Sequence, residues 1–224
     1  MKKISVIIPC LNEAASISDC LASLQSFKER GHEIIVVDGG SKDETLSLAE
    51  EKSDFVLSAP RGRASQLNFG AKKAKGCLLL FLHADTLLAE GMEVQLEEAA
   101  EKNLAWGRFD VRFSSAEPLL RIVEFFMNTR SRLTGIATGD QAMFVTCQLF
   151  ERAGGFPKIA LMEDIAFSKK LKNFCRPICY RNKVLTSSRR WQRLGIIRTI
   201  LNMWSLRLRY TLGASPEKLA REYE

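Results

Sequence analysis

The sequence predicts an α/β protein whose core is a doubly wound, mixed but mainly parallel sheet with helices on both faces. Along residues 1–90, short runs rich in Val, Ile and Leu alternate with longer amphipathic stretches. This alternation is typical of strand–helix–strand units. The short runs are apolar throughout, as expected for strands buried between two layers of helices.

The strands are predicted from these apolar runs, and the helices from stretches whose apolar residues recur at helical spacing. In chain order, the predicted strands are residues 4–9, 33–38, 55–58, 77–83, 105–113 and 142–145. The predicted helices are residues 14–30, 43–52, 64–75, 91–103, 118–133, 165–174 and 191–212. Asn12 or Ser16 is available as the N-cap of the first helix.

No repeat, low-complexity linker or change of composition divides the 224 residues. With 46% hydrophobic residues, the chain has enough apolar surface to form one core. We therefore expect a single domain, 1–224. Residues 91–188 would complete the sheet begun by residues 1–90, and residues 189–224 would form a basic C-terminal helix.

Positive charge is concentrated near the C-terminus. The formal net charge is +7, but residues 165–216 contain 12 Lys or Arg and no Asp or Glu. The rest of the chain is slightly acidic, unlike a nucleic-acid coat protein, and the basic stretch has few aromatic side chains that could stack on bases. We expect a phosphate-bearing partner and no nucleic acid.

Six cysteines are scattered along the chain, and the early apolar run is interrupted at Pro9, too soon for a signal peptide. We therefore expect a cytoplasmic protein with reduced thiols. The C-terminal helix carries an apolar stripe beside several arginines. The stripe consists of Leu194, Ile197, Leu201, Trp204 and Leu208. It fits core packing, or a peripheral contact with the inner face of a membrane.

Polar and glycine-rich residues concentrate where the predicted strands end. These segments are residues 9–13, 38–43, 59–65 and 83–86. Ligands of open α/β sheets bind at the carboxyl ends of the strands. This edge is therefore the predicted binding site, and its loop with Arg61 and Arg63 is suited to phosphate.

Asp38 ends the second predicted strand and is followed by Gly39. A carboxylate at the end of a buried strand needs a polar partner. A nucleotide ribose or base would supply one, and a cap of the following turn is the structural alternative. Gly39 would let a ligand approach the backbone closely.

Asp85 follows the most apolar predicted strand, two residues after His83. An acid in this position is suited to hold a divalent cation, Mn²⁺ or Mg²⁺, against a diphosphate. Capping of the next segment is the alternative for Asp85. For His83, a hydrogen-bonded core position is the alternative to metal ligation.

Glu163 and Asp164 precede a short amphipathic stretch. Two acids at a helix start are favoured by the helix dipole alone. Upstream, the polar turn Gly139-Asp140-Gln141 would bring acceptor contacts to the same cleft as the two acids.

Several short motifs in a fixed order resemble the family-two inverting glycosyltransferases of the GT-A fold. They are Ser5-Val6-Ile7-Ile8-Pro9 with Asn12-Glu13, Ile35-Val36-Val37-Asp38-Gly39-Gly40-Ser41 with Asp43, Leu82-His83-Ala84-Asp85, Gly154-Gly155-Phe156 and Glu163-Asp164. The compact length, the His-Ala-Asp-Thr form and the Arg-Arg-Trp tail most resemble a small bacterial subgroup of selenodomain-associated transferases.

The resemblance implies a GT-A-like fold and a role for each matching residue. Asp38 would face the nucleotide, Asp85 the metal and diphosphate, and Asp164, beside Glu163, would be the general base. The predicted nucleotide-binding residues are Pro9, Asn12, Glu13, Asp38, Gly39, Arg61, Arg63 and Ala84. The predicted acceptor-binding residues are Gly139, Asp140, Gln141, Arg190 and Trp191. UDP is the nucleotide that the family suggests for the donor sugar.

Two positions depart from the family pattern. The usual Asp-x-Asp is His83-Ala84-Asp85 here, so metal binding rests on Asp85, with His83 as the possible second ligand. Processive members carry Gln-x-x-Arg-Trp, whereas Ser187 stands at the Gln position before Arg190-Trp191. Transfer of a single sugar is therefore favoured.

Two other functions are compatible with the same fold. A sugar nucleotidyltransferase would need a Gly-rich basic loop after the first strand, where residues 10–13 read Cys-Leu-Asn-Glu. A nucleotide-sugar-binding or membrane-surface protein without catalysis would not need Asp85 and Asp164 together in one cleft.

Overall fold

The computed structural model describes residues 2–223 and contains one eight-stranded sheet covered by helices on both faces. The strands are β1 (Ile4–Cys10), β2 (Glu33–Asp38), β3 (Phe55–Ser58), β4 (Leu78–Phe81), β5 (Thr86–Leu87), β6 (Trp106–Phe113), β7 (Met143–Thr146) and β8 (Ile178–Thr186). Their order in the sheet is β3-β2-β1-β4-β7-β6-β8-β5. The predicted α/β fold with a mixed, mainly parallel sheet is confirmed.

The direction of the strands decides which loops share an edge. β1 pairs in parallel with β2 and β4, and β2 with β3. β7 is antiparallel to β4 and to β6, while β6 and β8 are parallel to each other. The carboxyl ends of β1, β2, β4, β6 and β8 therefore lie at the same edge of the sheet.

The helices are amphipathic elements that cover the two faces of the sheet. They are α1 (Ala14–Ala22), α2 (Gln25–Glu29), α3 (Thr45–Glu50), α4 (Arg63–Lys73), α5 (Met92–Ala100), α6 (Pro118–Thr134), α7 (Cys147–Arg152), α8 (Glu163–Lys172), α9 (Arg189–Leu194), α10 (Ile196–Thr211) and α11 (Pro216–Tyr223). In β1, Val6 packs into the core under α1 and α5, and Ile7 packs into the core under α4, α7 and α8. Successive side chains of a strand point to opposite faces, so both faces of β1 are apolar.

The helix predicted at 14–30 is two helices, α1 and α2. The break falls at Ser23, whose hydroxyl donates to the Cys20 carbonyl at 2.7 Å and accepts from the Leu88 N–H at 3.2 Å. Serine side chains that bond to nearby backbone groups compete with helix formation. Hydrophobic spacing alone does not reveal such a break.

The predicted N-cap of this helix was also wrong. Neither Asn12 nor Ser16 caps α1, because the N-cap residue is Glu13, without a side-chain cap bond. Instead, the Ala14 N–H donates to Asp43 Oδ2 at 3.2 Å. The start of α1 is thus satisfied by a loop that follows the next strand.

The C-terminal region contains more elements than the sequence predicted. The helix predicted at 191–212 is α9 followed by α10, with a break at Gly195, whose φ of +83° favours glycine. The sequence patterns also missed β8 and α11 in this region, and β5 and α7 earlier in the chain. Of the helices described within residues 2–223, none combines the length and the apolar character needed to cross a membrane.

Close packing between α4 and β1 gives a test of the fold. A Cβ on Gly70 would lie 2.6 Å from Ile7 Cγ2, which is in the buried centre of the sheet. We expect Gly70→Ala to lower the free energy of unfolding by about 1–3 kcal/mol through overpacking. Alanine's better helix propensity offsets only part of this, up to about 1 kcal/mol.

Urea denaturation of the purified protein measures this change. Lys72→Ala, an exposed position in the same helix, is the matched control and should stay within about 0.5 kcal/mol of the parent. A Gly70→Ala protein more stable than the parent would contradict the packing of α4 on β1.

Candidate functional site

Two adjoining cavities lie at the carboxyl edge of the sheet. The larger has a volume of about 570 Å³ and the smaller about 370 Å³. We call the larger the catalytic cavity because it contains the predicted base Asp164, and the smaller the donor cavity because it contains most of the predicted nucleotide-binding residues. Both are lined by Glu13, Arg63, His83 and Asp85. The cavities therefore form one cleft, with Asp85 at their junction.

The donor cavity brings together predicted residues from three strand ends. Pro9 and Glu13 come from the end of β1, Arg61 from the loop after β3, Arg63 from the first turn of α4, and Ala84 from the segment after β4. Parallel pairing of these strands explains why residues so far apart in sequence meet. The cavity thus offers both apolar walls and guanidinium groups to a ligand.

Asp85 lies between acidic and basic neighbours. Its carboxylate accepts from Arg189 Nη2 at 3.3 Å, and the same Nη2 donates to Glu13 Oε2 at 2.8 Å. The Arg189 side chain is 52% exposed, so this ion pair is screened by solvent and contributes little to stability. Arg189 reaches this edge because β8 runs parallel to β6.

His83 is fixed by the turn before β7. Its Nδ1 lies 3.4 Å from Asp140 Oδ1, and a Cβ on Gly139 would lie 2.3 Å from its Nε2. Burial alone would raise the pKa of Asp140, but pairing with His83 lowers it. Nδ1 of His83 thus has a carboxylate partner within the protein, and metal ligation by His83 stays a prediction.

Asp164 lines the catalytic cavity at the first turn of α8. The Gly139 N–H donates to its Oδ2 at 2.9 Å, and the Ile165 N–H donates to its Oδ1 at 2.7 Å. Each oxygen keeps lone pairs for another partner. The half-buried carboxylate is therefore held in place and still available to a ligand.

Glu163 is more deeply buried than Asp164. Its side chain is 4% exposed and lies 3.4 Å from Arg63 Nη1. Burial, and next the negative charge of Asp164, raise the pKa of Glu163. Glu163 therefore lines the cleft and binds Arg63, while Asp164 is the more accessible acid.

Strained backbone is concentrated beside this cleft. Among residues 2–223, the non-glycine residues with positive φ are Asn12, Ala142 and Met162. They lie after β1, before β7 and at the N-cap of α8. Such conformations cost of order 1–3 kcal/mol each and are common at functional sites.

Asp38 and Gly39 lie just behind the cleft and do not line either cavity. Asp38 is buried, and Oδ2 accepts from the N–H groups of Gly40 at 2.8 Å and Ser41 at 3.0 Å. Burial raises the pKa of Asp38, but hydrogen bonds, chiefly from Ser41, lower it below the ordinary value. Asp38 thus shapes the turn after β2, as the structural alternative predicted, and its contact with a nucleotide stays a prediction.

Three predicted acceptor residues differ in their access to the cleft. Gln141 is fully buried, and its Oε1 accepts from the Thr138 N–H at 3.2 Å. Its side chain therefore holds the turn and is not available to an acceptor. Arg190 and Trp191 do line the catalytic cavity, with Arg190 donating to the Tyr223 carbonyl at 2.8 Å.

Sequence patterns missed several residues that line the catalytic cavity. Arg189 was passed over in favour of its two neighbours, Met203 and Arg207 belong to α10, and Tyr223 lies on α11. The basic composition of residues 165–216 was the only signal for the arginines. No sequence pattern pointed to Tyr223, because its position depends on how α11 packs against the rest of the protein.

The arrangement combines an accessible carboxylate, a second carboxylate at a cavity junction and several guanidinium groups. Within the described part of the chain, no group of three or more His, Cys, Asp or Glu side chains could hold a metal. Hard cations often bind one or two carboxylates together with phosphate oxygens of a substrate. Asp85 fits this mode, since it borders both cavities.

Comparison with known proteins identifies relatives of the chain. The sequence model described as "Glycosyl transferase family 2" matches residues 5–152. The poly-beta-1,6-N-acetyl-D-glucosamine synthase of Staphylococcus epidermidis is 28% identical over 98% of this chain and 56% of the relative. The synthase of Staphylococcus aureus strain COL is 26% identical over 100% of this chain and 57% of the relative. The chain thus spans just over half the length of these relatives.

Solved structures share the fold. TarS 1–349 of S. aureus, in complex with UDP-GlcNAc, superposes with a TM-score of 0.66 at 21% identity, over 83% of this chain and 58% of that chain. The mannosyltransferase PcManGT of Pyrobaculum calidifontis, in complex with GDP-Man and Mn²⁺, superposes with a TM-score of 0.64 at 22% identity, over 82% of this chain and 56% of that chain. Glucosyl-3-phosphoglycerate synthase of Mycobacterium tuberculosis, in complex with Mn²⁺, UDP and glucosyl-3-phosphoglycerate, superposes with a TM-score of 0.61 at 16% identity, over 81% of this chain and 70% of that chain.

The raised pKa of Glu163 predicts a pH-dependent effect on stability. The folded protein holds a proton on Glu163 more tightly than the unfolded chain does, so this residue makes folding less favourable as pH rises above about 4.5, its ordinary pKa. We expect the stability of Glu163→Gln, relative to the parent, to increase from pH 4 to pH 7. Urea denaturation of both proteins at each pH measures this difference in the free energy of unfolding.

The exposed Glu90→Gln variant controls for the loss of one negative charge. If the difference between Glu163→Gln and the parent falls with pH, the raised pKa of Glu163 is contradicted.

Proposed function

The chain belongs to glycosyl transferase family 2, and from that premise we propose that it transfers a single sugar from a nucleotide-diphosphate sugar to an acceptor hydroxyl, with inversion at the anomeric carbon. The observation that carries the proposal is the placement of Asp85 and Asp164 on one cleft. Asp85 lies where the two cavities meet, and Asp164 lines only the catalytic cavity.

The nucleotide would occupy the donor cavity, with its diphosphate toward the junction at Asp85. Arg61 and Arg63 border this cavity, and guanidinium groups bind phosphate oxygens well. UDP is the proposed nucleotide. Structures that share the fold have been solved in complex with UDP-GlcNAc, UDP or GDP-Man, so GDP is the natural comparison.

Asp164 is the proposed general base. It would take the proton of the acceptor hydroxyl as that oxygen forms a bond to the anomeric carbon. The bond between this carbon and the diphosphate breaks, and its electron pair leaves with the diphosphate. Attack from the face opposite the leaving group gives inversion. The fixed position of Asp164 favours this attack because it keeps the base oriented toward the acceptor hydroxyl.

The negative charge that develops on the leaving diphosphate needs compensation. Arg63 and Arg189 border the junction, with side chains 44% and 52% exposed. A divalent cation at Asp85, Mn²⁺ or Mg²⁺, would offset the same charge. These groups together would replace the hydration that the diphosphate loses on entering the cleft.

We also propose that the chain works at a membrane surface. Helices α6 and α10 expose several large apolar side chains, among them Phe126 and Trp204. Exposed aromatic residues beside arginines are typical of helices that lie in the membrane interface.

Replacement of Asp164 tests the base. We expect Asp164→Asn to lower kcat for sugar transfer about 10²–10⁴-fold, while the dissociation constant of the donor nucleotide changes little. Asn retains an oxygen that accepts the Gly139 N–H bond. The measurement is steady-state transfer together with calorimetric binding of the nucleotide. Asp19→Asn, an exposed position on α1, is the matched control. An Asp164→Asn enzyme with the parent's kcat would show that Asp164 is not the general base.

Calorimetric titration with UDP, GDP and dTDP, each with and without Mn²⁺, tests the donor site. We expect UDP to bind more tightly when Mn²⁺ is present, and Asp85→Asn to lose that enhancement because the cation loses its protein carboxylate. Asp19→Asn again serves as the control. Enhancement that persists in Asp85→Asn would remove Asp85 from the cation site, and binding of none of the nucleotides would overturn the proposed function.

A further inference from the structure

Two neighbouring helices, α6 and α10, leave a large apolar surface uncovered, which we call the apolar face. Its residues are Leu119, Ile122, Phe125, Phe126, Ile197, Leu201, Trp204 and Leu208, and each is between 47% and 65% exposed. The two helices pack together beneath the face, where Val123 and Met127 meet Ile196 and Ile200. A contiguous exposed apolar patch usually marks an interaction surface.

A groove of about 410 Å³ runs between the two helices. Phe126 and Trp204 line it on the side of the apolar face. Asp140, Trp191 and Arg207 line both this groove and the catalytic cavity. The groove therefore connects the apolar face to the cavity that contains Asp164, and its volume is in the range of ligand-binding sites, about 300–1,000 Å³.

Arg130 and Arg207 line the groove, and Arg207 also lines the catalytic cavity. Nε and Nη2 of Arg130 are buried and have no hydrogen-bond acceptor among the described residues. Burial, and then the nearby positive charge of Arg207, lower the pKa of Arg130 to about 10, so Arg130 is still charged at neutral pH.

Buried donors without acceptors are unfavourable, and two neighbouring guanidinium groups repel each other. An anion placed between Arg130 and Arg207 would relieve both costs. A phosphate is suited to this position, because guanidinium groups bind its oxygens through several hydrogen bonds. Asp140 lines the groove and also lines the catalytic cavity together with Asp164, so the bound anion would lie near the proposed base.

Building on the proposed function, we propose that the acceptor is an anionic membrane lipid whose phosphate binds Arg130 and Arg207, whose apolar chain lies in the groove, and whose headgroup hydroxyl reaches Asp164. The apolar face would rest on the bilayer that holds this lipid. A phosphodiester lipid with a free hydroxyl, such as phosphatidylglycerol, has all three features.

Charge and continuity favour a lipid over a protein partner. Arg198 lies beside Ile197 and Leu201, and Arg130 and Arg207 lie beside Trp204. Positive charge therefore adjoins the apolar face and complements an anionic membrane surface. A protein partner or a second copy of the chain would cover the apolar face without needing a groove that leads to the catalytic cavity. The groove gives a lipid chain a path from the bilayer to the reacting groups.

Vesicle binding is the first part of the test. Vesicles of phosphatidylcholine, with or without phosphatidylglycerol, are sedimented with the full chain, and tryptophan emission is recorded because Trp204 is exposed whereas Trp106 and Trp191 are buried. We expect binding and a blue shift only with phosphatidylglycerol. Phe126→Asp with Trp204→Asp should abolish binding, and the exposed Phe55→Asp on β3 should not.

The arginines are tested separately. Arg130→Gln and Arg207→Gln should each weaken binding to phosphatidylglycerol vesicles about fivefold, the effect expected of one arginine at a lipid surface. Arg181→Gln, exposed on β8, is the matched control. Equal losses in all three variants would show a general charge effect and would overturn the phosphate site at Arg130 and Arg207.

Transfer is the last part of the test. With the nucleotide selected by calorimetry, radiolabelled sugar should appear in the lipid extract of phosphatidylglycerol vesicles, and soluble glycerophosphoglycerol should be a much poorer acceptor. A chain that binds nucleotide but ignores vesicles, forms dimers through the apolar face, or uses the soluble headgroup equally well overturns the lipid proposal and leaves the proposed function standing. Failure of nucleotide binding would overturn the proposed function and with it the role of the lipid as acceptor. Vesicle binding is measured without nucleotide, so it tests the lipid site separately.

Discussion

The close approach of His83 to Gly139 organises the carboxyl edge of the sheet. A Cβ at Gly139 would lie 2.3 Å from His83 Nε2, so any other residue at this position would displace the imidazole that lies between the turn before β7 and the segment after β4. The same turn then donates its Gly139 N–H to Asp164 and presents Asp140 to His83. One steric constraint thus fixes the segment after β4, the turn before β7 and the start of α8 relative to one another.

Arginines from the basic C-terminal quarter lie beside the acidic residues at this edge. Because β8 pairs in parallel with β6, the chain leaves β8 at the carboxyl edge of the sheet and places Arg189 between Glu13 and Asp85. Farther along, Arg207 on α10 lines the catalytic cavity as well. The acids at the strand ends therefore face arginines from the last elements, and an anionic ligand can exchange these solvent-exposed ion pairs for its own at little cost.

A polar cleft and an apolar groove meet at Trp191. This residue packs against Phe113 with ring centroids 5.2 Å apart and borders both spaces. The surfaces on its two sides differ, with carboxylates and guanidinium groups on one and aliphatic and aromatic side chains on the other. A ligand that satisfies both must be amphiphilic, which is the physical basis for linking the catalytic cavity to a membrane.

The sequence by itself determined the fold class, most strands and the segments that form the cleft, because hydrophobic periodicity and turn chemistry are local properties. It also singled out Asp85 and Asp164, although their roles remain predictions. Only the tertiary structure decided that Gln141 is buried, that Arg189 pairs with Asp85, and that α6 and α10 enclose a groove. These features depend on strand register and helix packing between residues far apart in the chain, which no local pattern encodes.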